Sequence, residues 1–240
     1  MKKSSAKGIE KYLGFEPGMF DHIPHYARED AIYAIRNVRS LEKRKLFRPG
    51  LYYIVLSDLC RSTEASLRLG ADLNKKRIES FILKCIETLG YMDLKNYTLF
   101  LREIGDAVLI LFSSFADVYE WWSSMESWLD TQNSLWSWEL SDAEYKVFFL
   151  EAKTVIHAGE VDYSGGSIPL APAVNQVFKI EKLFGPRELG ITDIVRTTAA
   201  PIIRSLNLRP RKRDRVKLPG DSEPIVVYLA DKIKRKRFSH

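Results

Sequence analysis

Cysteine is scarce in this chain: among 240 residues only Cys60 and Cys85 occur, far apart. Two isolated thiols build no disulfide framework, and neither has the paired spacing of a zinc site. Long apolar runs are missing as well. None approaches the roughly 20 residues of a membrane helix, and Met1-Lys2-Lys3-Ser4-Ser5 has no apolar segment behind it, unlike a secretory leader. A cytoplasmic protein is expected. No internal repeat is visible, and the glycine-rich Tyr163-Ser164-Gly165-Gly166-Ser167 lacks the Gly-x-x-x-x-Gly-Lys of a P-loop. Aromatic residues barely interleave with the basic runs Arg209–Lys217 and Lys232–Arg237, so stacking on nucleic-acid bases is not expected. These runs read as solvated, with a phosphate backbone or anionic lipid as the alternative partner. The remainder is ordinary for a globular protein: 45% hydrophobic, 28% charged, net charge +6, and long enough for one substantial core with an added segment.

What is present centres on Leu51–Thr63, LYYIVLSDLCRST. Its first six residues are apolar or aromatic without alternation, the pattern of a short strand buried on both faces. The run stops at Ser57-Asp58, which puts a carboxylate at the carboxyl end of a buried strand, where open α/β sheets place ligands. The turn Leu59-Cys60-Arg61-Ser62-Thr63 then enters a helix that Ser62 or Thr63 can cap, leaving N–H groups for an anion. Strand, acid, turn and helix start point to a metal–phosphate site; a surface Asp ending a strand is the plain alternative.

Two further stretches carry polar groups at defined spacing. Tyr97–Arg102 and Ala107–Phe112 read as strands joined by Glu103-Ile104-Gly105-Asp106, with Gly105 free to take positive φ. In Ala173–Lys179, a helix, Asn175 and Lys179 lie one turn apart on one face.

The connecting segments read as follows. After Thr63 one long helix carries Ile78, Phe81, Ile82, Cys85, Ile86 and Leu89 on its apolar stripe and Lys75, Lys76, Arg77 and Lys84 on a solvated face, until Gly90. Phe115–Leu129 is a helix whose tryptophans read as core or dimer contact rather than a base stack, with Trp136 and Trp138 in a following loop. Lys146–Val161 reads as a long strand ending in His157-Ala158-Gly159. Phe184-Gly185-Pro186 stops the Asn175 helix. A short strand (Leu189–Thr192), a helix (Ile194–Ile203) and a closing hairpin (Arg215–Leu218 with Pro224–Leu229) complete the chain. Arg28–Lys45 is helix-prone and packs either on the main domain or on a second subunit. The expected division is a helical extension over 1–50, a main domain over 51–230 and a basic tail over 231–240.

Asp58 with Ser62-Thr63, then Arg102-Glu103-Ile104-Gly105-Asp106, then Asn175 to Lys179, resemble in order and spacing the motifs of the class III nucleotidyl cyclases. Those are a strand ending in Asp before a Thr-containing turn, a Lys-x-x-Gly-Asp hairpin and an Asn-x-x-x-Arg helix. The resemblance runs from about Leu51 to the end. It implies an α/β (α+β) fold with a ferredoxin-like βαββαβ core and a mainly antiparallel sheet flanked by helices. It implies two divalent ions, Mn²⁺ or Mg²⁺, held by Asp58 and Asp106 with the Leu59 carbonyl. Amides from Leu59 to Thr63 would hold the β- and γ-phosphates, Asn175 the ribose, and Lys179 the charge of the transition state. Lys179 replaces the usual Arg and supplies charge without its fork. The strand-end His157 is not a base in that family and reads as structural. A head-to-tail homodimer with composite sites is implied. With Lys179, Leu56 in place of a frequent Phe makes a degenerate, nucleotide-binding fold the non-enzyme alternative.

The residues at the base-reading positions depart from both purine patterns. Adenylate cyclases place a Lys three residues before the hairpin Gly and an Asp seven before the ribose Asn; here Arg102 and Ile168 stand there. Guanylate cyclases place a Glu at the first position. Arg102 has only donors and suits the O2 and O4 of uracil, and it fills space that a purine occupies. The chain in this respect resembles the bacterial pyrimidine cyclases of anti-phage Pycsar systems. That implies conversion of UTP to cyclic UMP for a separate cyclic-nucleotide-responsive effector, with CTP as runner-up and a purine as the further alternative.

Overall fold

A computed structural model of the chain describes residues 49–92, 99–136, 149–161, 171–217 and 223–232. The helix expected over 28–45, the glycine-rich loop around 163–167, the turn at 219–221 and the tail beyond 232 lie outside the described residues. In chain order the elements are β1 (Gly50–Leu59), α1 (Ser62–Leu69), α2 (Ala71–Tyr91), β2 (Leu99–Ile104), β3 (Ala107–Phe112), α3 (Phe115–Trp136) and β4 (Ala152–Val161). They continue with α4 (Pro172–Glu181), β5 (Leu189–Thr192), α5 (Asp193–Thr198), α6 (Ala200–Ser205), β6 (Leu208–Val216) and β7 (Ile225–Lys232).

The absence of alternation in β1 has a direct cause: both faces of the sheet are covered. Tyr53 and Val55 point into one core layer with Phe81, Cys85 and Ile86 of α2 and Val118, Trp121 and Met125 of α3. Tyr52, Ile54 and Leu56 point into a second layer with Ala173, Val174, Val177 and Ile180 of α4. β3 is buried throughout and divides its side chains in the same way. Trp121 is fully buried and its indole N–H donates to the Cys85 carbonyl at 3.2 Å, so this tryptophan is a packing element between α3 and α2.

The sheet order is β2-β3-β1-β4-β5-β7-β6. Every neighbouring pair is antiparallel except β4 with β5. The expected βαββαβ unit is present as β1, the α1–α2 pair, β2, β3, α3 and β4, with β5 to β7 extending the sheet beyond β4. Among the described residues no helix is long and apolar enough to cross a membrane.

Several boundaries differ from expectation for local reasons. The long helix after Thr63 is two helices, broken at Gly70, which takes φ 84°. α3 continues through Trp136, because nothing between Leu129 and Trp136 is Gly or Pro. The expected strand over 146–161 has its described portion only from Ala152. Leu150 is held instead by the Asn133 amide of α3, which accepts the Leu150 N–H at 2.8 Å and donates to its carbonyl at 3.0 Å. The helix expected over Ile194–Ile203 is α5 and α6, with Pro201 in the first turn of the second. β6 begins at Leu208, well before the expected Arg215. As the edge strand it keeps most side chains exposed, and a run of arginines carries no apolar period to read.

Candidate active site

Two carboxylates meet at one end of the sheet. Asp58 is the penultimate residue of β1, opposite Ala107 on β3. Asp106 occupies the two-residue turn between β2 and β3 with Gly105, whose φ of 65° is the conformation that spares a residue without a Cβ. The Leu59 N–H donates to the Asp106 carbonyl at 3.1 Å, which fastens the strand end to the turn. Burial pushes the Asp58 carboxyl up to about 6, against the Lys153 hydrogen bond and with help from the Asp106 and Glu181 charges.

The turn after Asp58 differs from the expected one. Arg61, with φ 63°, is the N-cap of α1; Ser62 and Thr63 are its first helical residues, and neither caps it. Ser62 Oγ donates instead to the Leu59 carbonyl at 3.2 Å. Of the amides expected to face phosphates, that of Leu59 is taken by Asp106 and that of Cys60 by the Glu151 carbonyl at 2.7 Å. The first-turn N–H groups of Ser62 and Thr63 keep the position that helix geometry leaves open. Cys60 is buried, and burial pushes its thiol up to about 11, which makes it a packing residue.

Sequence reasoning gave three residues of this region no part in the site. Lys153 lies opposite Asp58 in the β1–β4 register. Its ammonium reaches Asp58 Oδ2 at 3.1 Å and also contacts Glu181 Oε1 at the end of α4. Burial works against that charge, but the hydrogen bonds to Glu181 and Asp58 outweigh it and hold the lysine above its ordinary value. Arg77, expected on a solvated face, is buried and donates to the carbonyls of Cys60 at 2.7 Å and Phe149 at 3.0 Å. It thus buttresses the turn from below. A signal for Arg77 existed: with Asn74 it continues the buried stripe one turn before Phe81. For Lys153 the signal was its place on the His157 face of β4; Glu181 had none.

α4 brings Asn175 and Lys179 to one exposed face, one turn apart. Within the single chain neither makes a hydrogen bond or ion pair to Asp58 or Asp106. The helix is set against β4 by two devices. His157 is buried and bridges Thr192 Oγ1 at 3.0 Å and Gln176 Oε1 at 2.9 Å, which makes its ring a structural link between β4, β5 and α4. Gly159 provides the space for Ala173. Arg102 lies in β2 opposite Leu109; its side chain, and Ile168 altogether, fall outside the described residues.

The donor set suits a hard divalent cation. Among the described residues no group of three or more His, Cys, Asp or Glu side chains forms a metal cluster. A cation here would rest on the Asp58 and Asp106 carboxylates, the Leu59 carbonyl and the ligand's own phosphates, the arrangement Mg²⁺ favours over all-protein cages. Two acids held together at a buried strand end, with a net excess of negative charge, fit such an ion.

No protein-family model matches the sequence, and no curated protein matches it. Solved structures do. The adenylyl cyclase CyaB from P. aeruginosa aligns with TM-score 0.57 at 17% identity, covering 79% of this chain and 98% of that one. An adenylate cyclase from Trypanosoma brucei, in its monomeric state, gives TM-score 0.57 at 14% identity over 79% of this chain and 91% of the other. The guanylate cyclase domain of RhGC from Catenaria anguillulae, in complex with GTP, gives 0.53 at 13% identity over 77% and 97%. The fold described above is that of class III cyclase catalytic domains.

Proposed function

We propose that this chain is a class III nucleotidyl cyclase that converts UTP to cyclic UMP and pyrophosphate. The observation that carries the reading is the pairing of Asp58 and Asp106 across the Leu59 N–H to Asp106 carbonyl bond, in a sheet shared with adenylyl and guanylyl cyclases. In the reaction the ribose 3′-oxygen forms a bond to the α-phosphorus, the bond from that phosphorus to the β-bridging oxygen breaks with its electron pair leaving on pyrophosphate, and the hydroxyl proton passes to solvent. Divalent ions, when bound by Asp58, Asp106 and the Leu59 carbonyl, lower the hydroxyl's pKa and neutralise phosphate charge. The chain's own groups do the rest. The N–H groups at the start of α1 meet the outer phosphates. Asn175 orients the ribose, and Lys179 places a cation on the charge that develops in the transition state.

Asn175 and Lys179 face outward from α4, which fits a homodimer in which they serve the carboxylate pair of the second subunit. Arg102, three residues before the hairpin Gly, supports uracil over adenine and guanine by its donor-only edge; Ile168 removes the carboxylate that would meet an adenine amine. The proposed setting is a bacterial anti-phage signal read by a separate effector. The domain occupies 51–230, with the extension and the basic tail outside it. Incubation with equimolar ATP, GTP, CTP and UTP and Mn²⁺, with products identified by mass, tests the reading. Cyclic UMP is expected to dominate. Cyclic CMP or a cyclic purine would overturn the base assignment, and the absence of any cyclic product would leave a nucleotide-binding fold without turnover.

A further inference from the structure

Lys153 sits between two acids that belong to different elements. Its backbone is fixed opposite Asp58 by the β1–β4 register. It contacts Asp58 Oδ2 at 3.1 Å on one side and Glu181 Oε1 on the other. Glu181 is the last residue of α4, and its side chain is 11% exposed. A cation in contact with a metal-binding carboxylate competes with the metal for the same oxygen and repels it. A site built only to bind metal gains nothing from such a neighbour, unless the lysine has somewhere else to go. Glu181 is that place.

We propose that Lys153 is a resident counter-ion of Asp58, and that Glu181 is a positioning residue which takes over Lys153 when a divalent cation binds. The proposal rests on the metal reading of Asp58 and Asp106. In the cation's absence Lys153 balances a half-buried carboxylate that would otherwise lie beside the Asp106 and Glu181 charges. When the cation arrives, Lys153 shifts its hydrogen bonds to Glu181 and frees Asp58 Oδ2. Glu181 ends the helix that carries Asn175 and Lys179.

The test is Mn²⁺ binding to the full chain without nucleotide, with free Mn²⁺ read by electron paramagnetic resonance and folding checked by thermal melting. Glu181→Gln is expected to weaken binding about tenfold, the scale of lost outer partners, because Lys153 is then committed to Asp58. Lys153→Gln is expected to tighten it several-fold. In the Lys153→Gln background the further change Glu181→Gln should cost less than about threefold, because Glu181 acts through Lys153. Lys153→Arg, which keeps the charge, should stay near wild type. Should Glu181→Gln fold poorly, Glu181→Asp, which withdraws the acceptor by one methylene, must weaken binding in the same direction. Weaker binding in Lys153→Gln, or equal losses from Glu181→Gln in both backgrounds, would overturn the proposal. Asp58→Asn separates its failure from that of the metal reading: if that variant binds Mn²⁺ as wild type does, the metal site itself is wrong and the proposal falls with it.

Discussion

Gly159 and Ala173 meet where β4 passes under α4: a Cβ on Gly159 would lie 2.4 Å from the Cβ of Ala173. No flexible side chain is available to yield there. Gly159→Ala must therefore move α4, and with it Asn175 and Lys179. We expect a loss of stability of about 1–3 kcal/mol, the usual cost of an overpacked contact, and a fall in cyclisation rate of about 100-fold, as misplacements near 1 Å produce. Urea unfolding and steady-state kinetics on the same preparation check both. A variant that loses stability but keeps its rate would show that α4 does not position catalytic groups.

Removing either carboxylate should cost more than removing an outer partner. Asp58→Asn and Asp106→Asn are each expected to reduce Mn²⁺-dependent turnover by more than about 100-fold, the upper end for residues that only support ligands. Circular dichroism should stay close to wild type, since neither side chain is part of a core layer. Appreciable activity of either variant at saturating Mn²⁺ would refute the two-carboxylate assignment.

The proposed composite sites make a mixing experiment decisive. Asp106→Ala and Lys179→Ala damage different halves of the proposed composite site, so a heterodimer of the two retains one intact site. With free subunit exchange half the dimers are mixed, and about a quarter of the wild-type rate should return. Exchange is followed with two affinity tags. Complete exchange without any recovery would count against sites built from two subunits.

The parts of the fold that were legible were those where local chemistry and tertiary setting agree. Leu51–Leu56 lacks alternation because helices cover both faces, and Gly105-Asp106 is a turn because Gly105 supplies positive φ. The strand end at Asp58, the turn at Asp106 and the one-turn spacing of Asn175 and Lys179 on a helix were readable from local pattern; the roles proposed for them come from the family resemblance. Lys153 was not readable. Its importance comes from lying across from Asp58, and register between strands almost a hundred residues apart is not written in either one. Arg77 misled for a related reason: a guanidinium looks solvated until two carbonyls, Cys60 and Phe149, come from elsewhere in the chain to meet it.

Asp117 offers a pH-dependent readout remote from the carboxylate pair. It stands in the first turn of α3, where the helix dipole favours a negative charge by about 0.3–1 kcal/mol. Yet it is buried, and among the described residues its Oδ2 has no hydrogen-bond partner, an omission that typically costs about 1–3 kcal/mol. The second effect is the larger. Burial, with the Glu120 charge beside it, pushes this carboxyl up to about 6, and a hydrogen bond from Ser114 offsets only part of the rise. An acid whose folded pKa is raised holds its proton more tightly in the native state. Between its ordinary value near 4 and about 6, the native state binds more protons than the unfolded one, and stability from this group falls as pH rises through that window. Above about 6 the full penalty applies. Asp117→Asn removes the charge and keeps the shape, so the variant should be more stable than wild type at pH 7.5, and the gap should close towards pH 4. Urea midpoints across that range measure it. A variant that is less stable at pH 7.5 would mean that the dipole's attraction for the charge outweighs its burial.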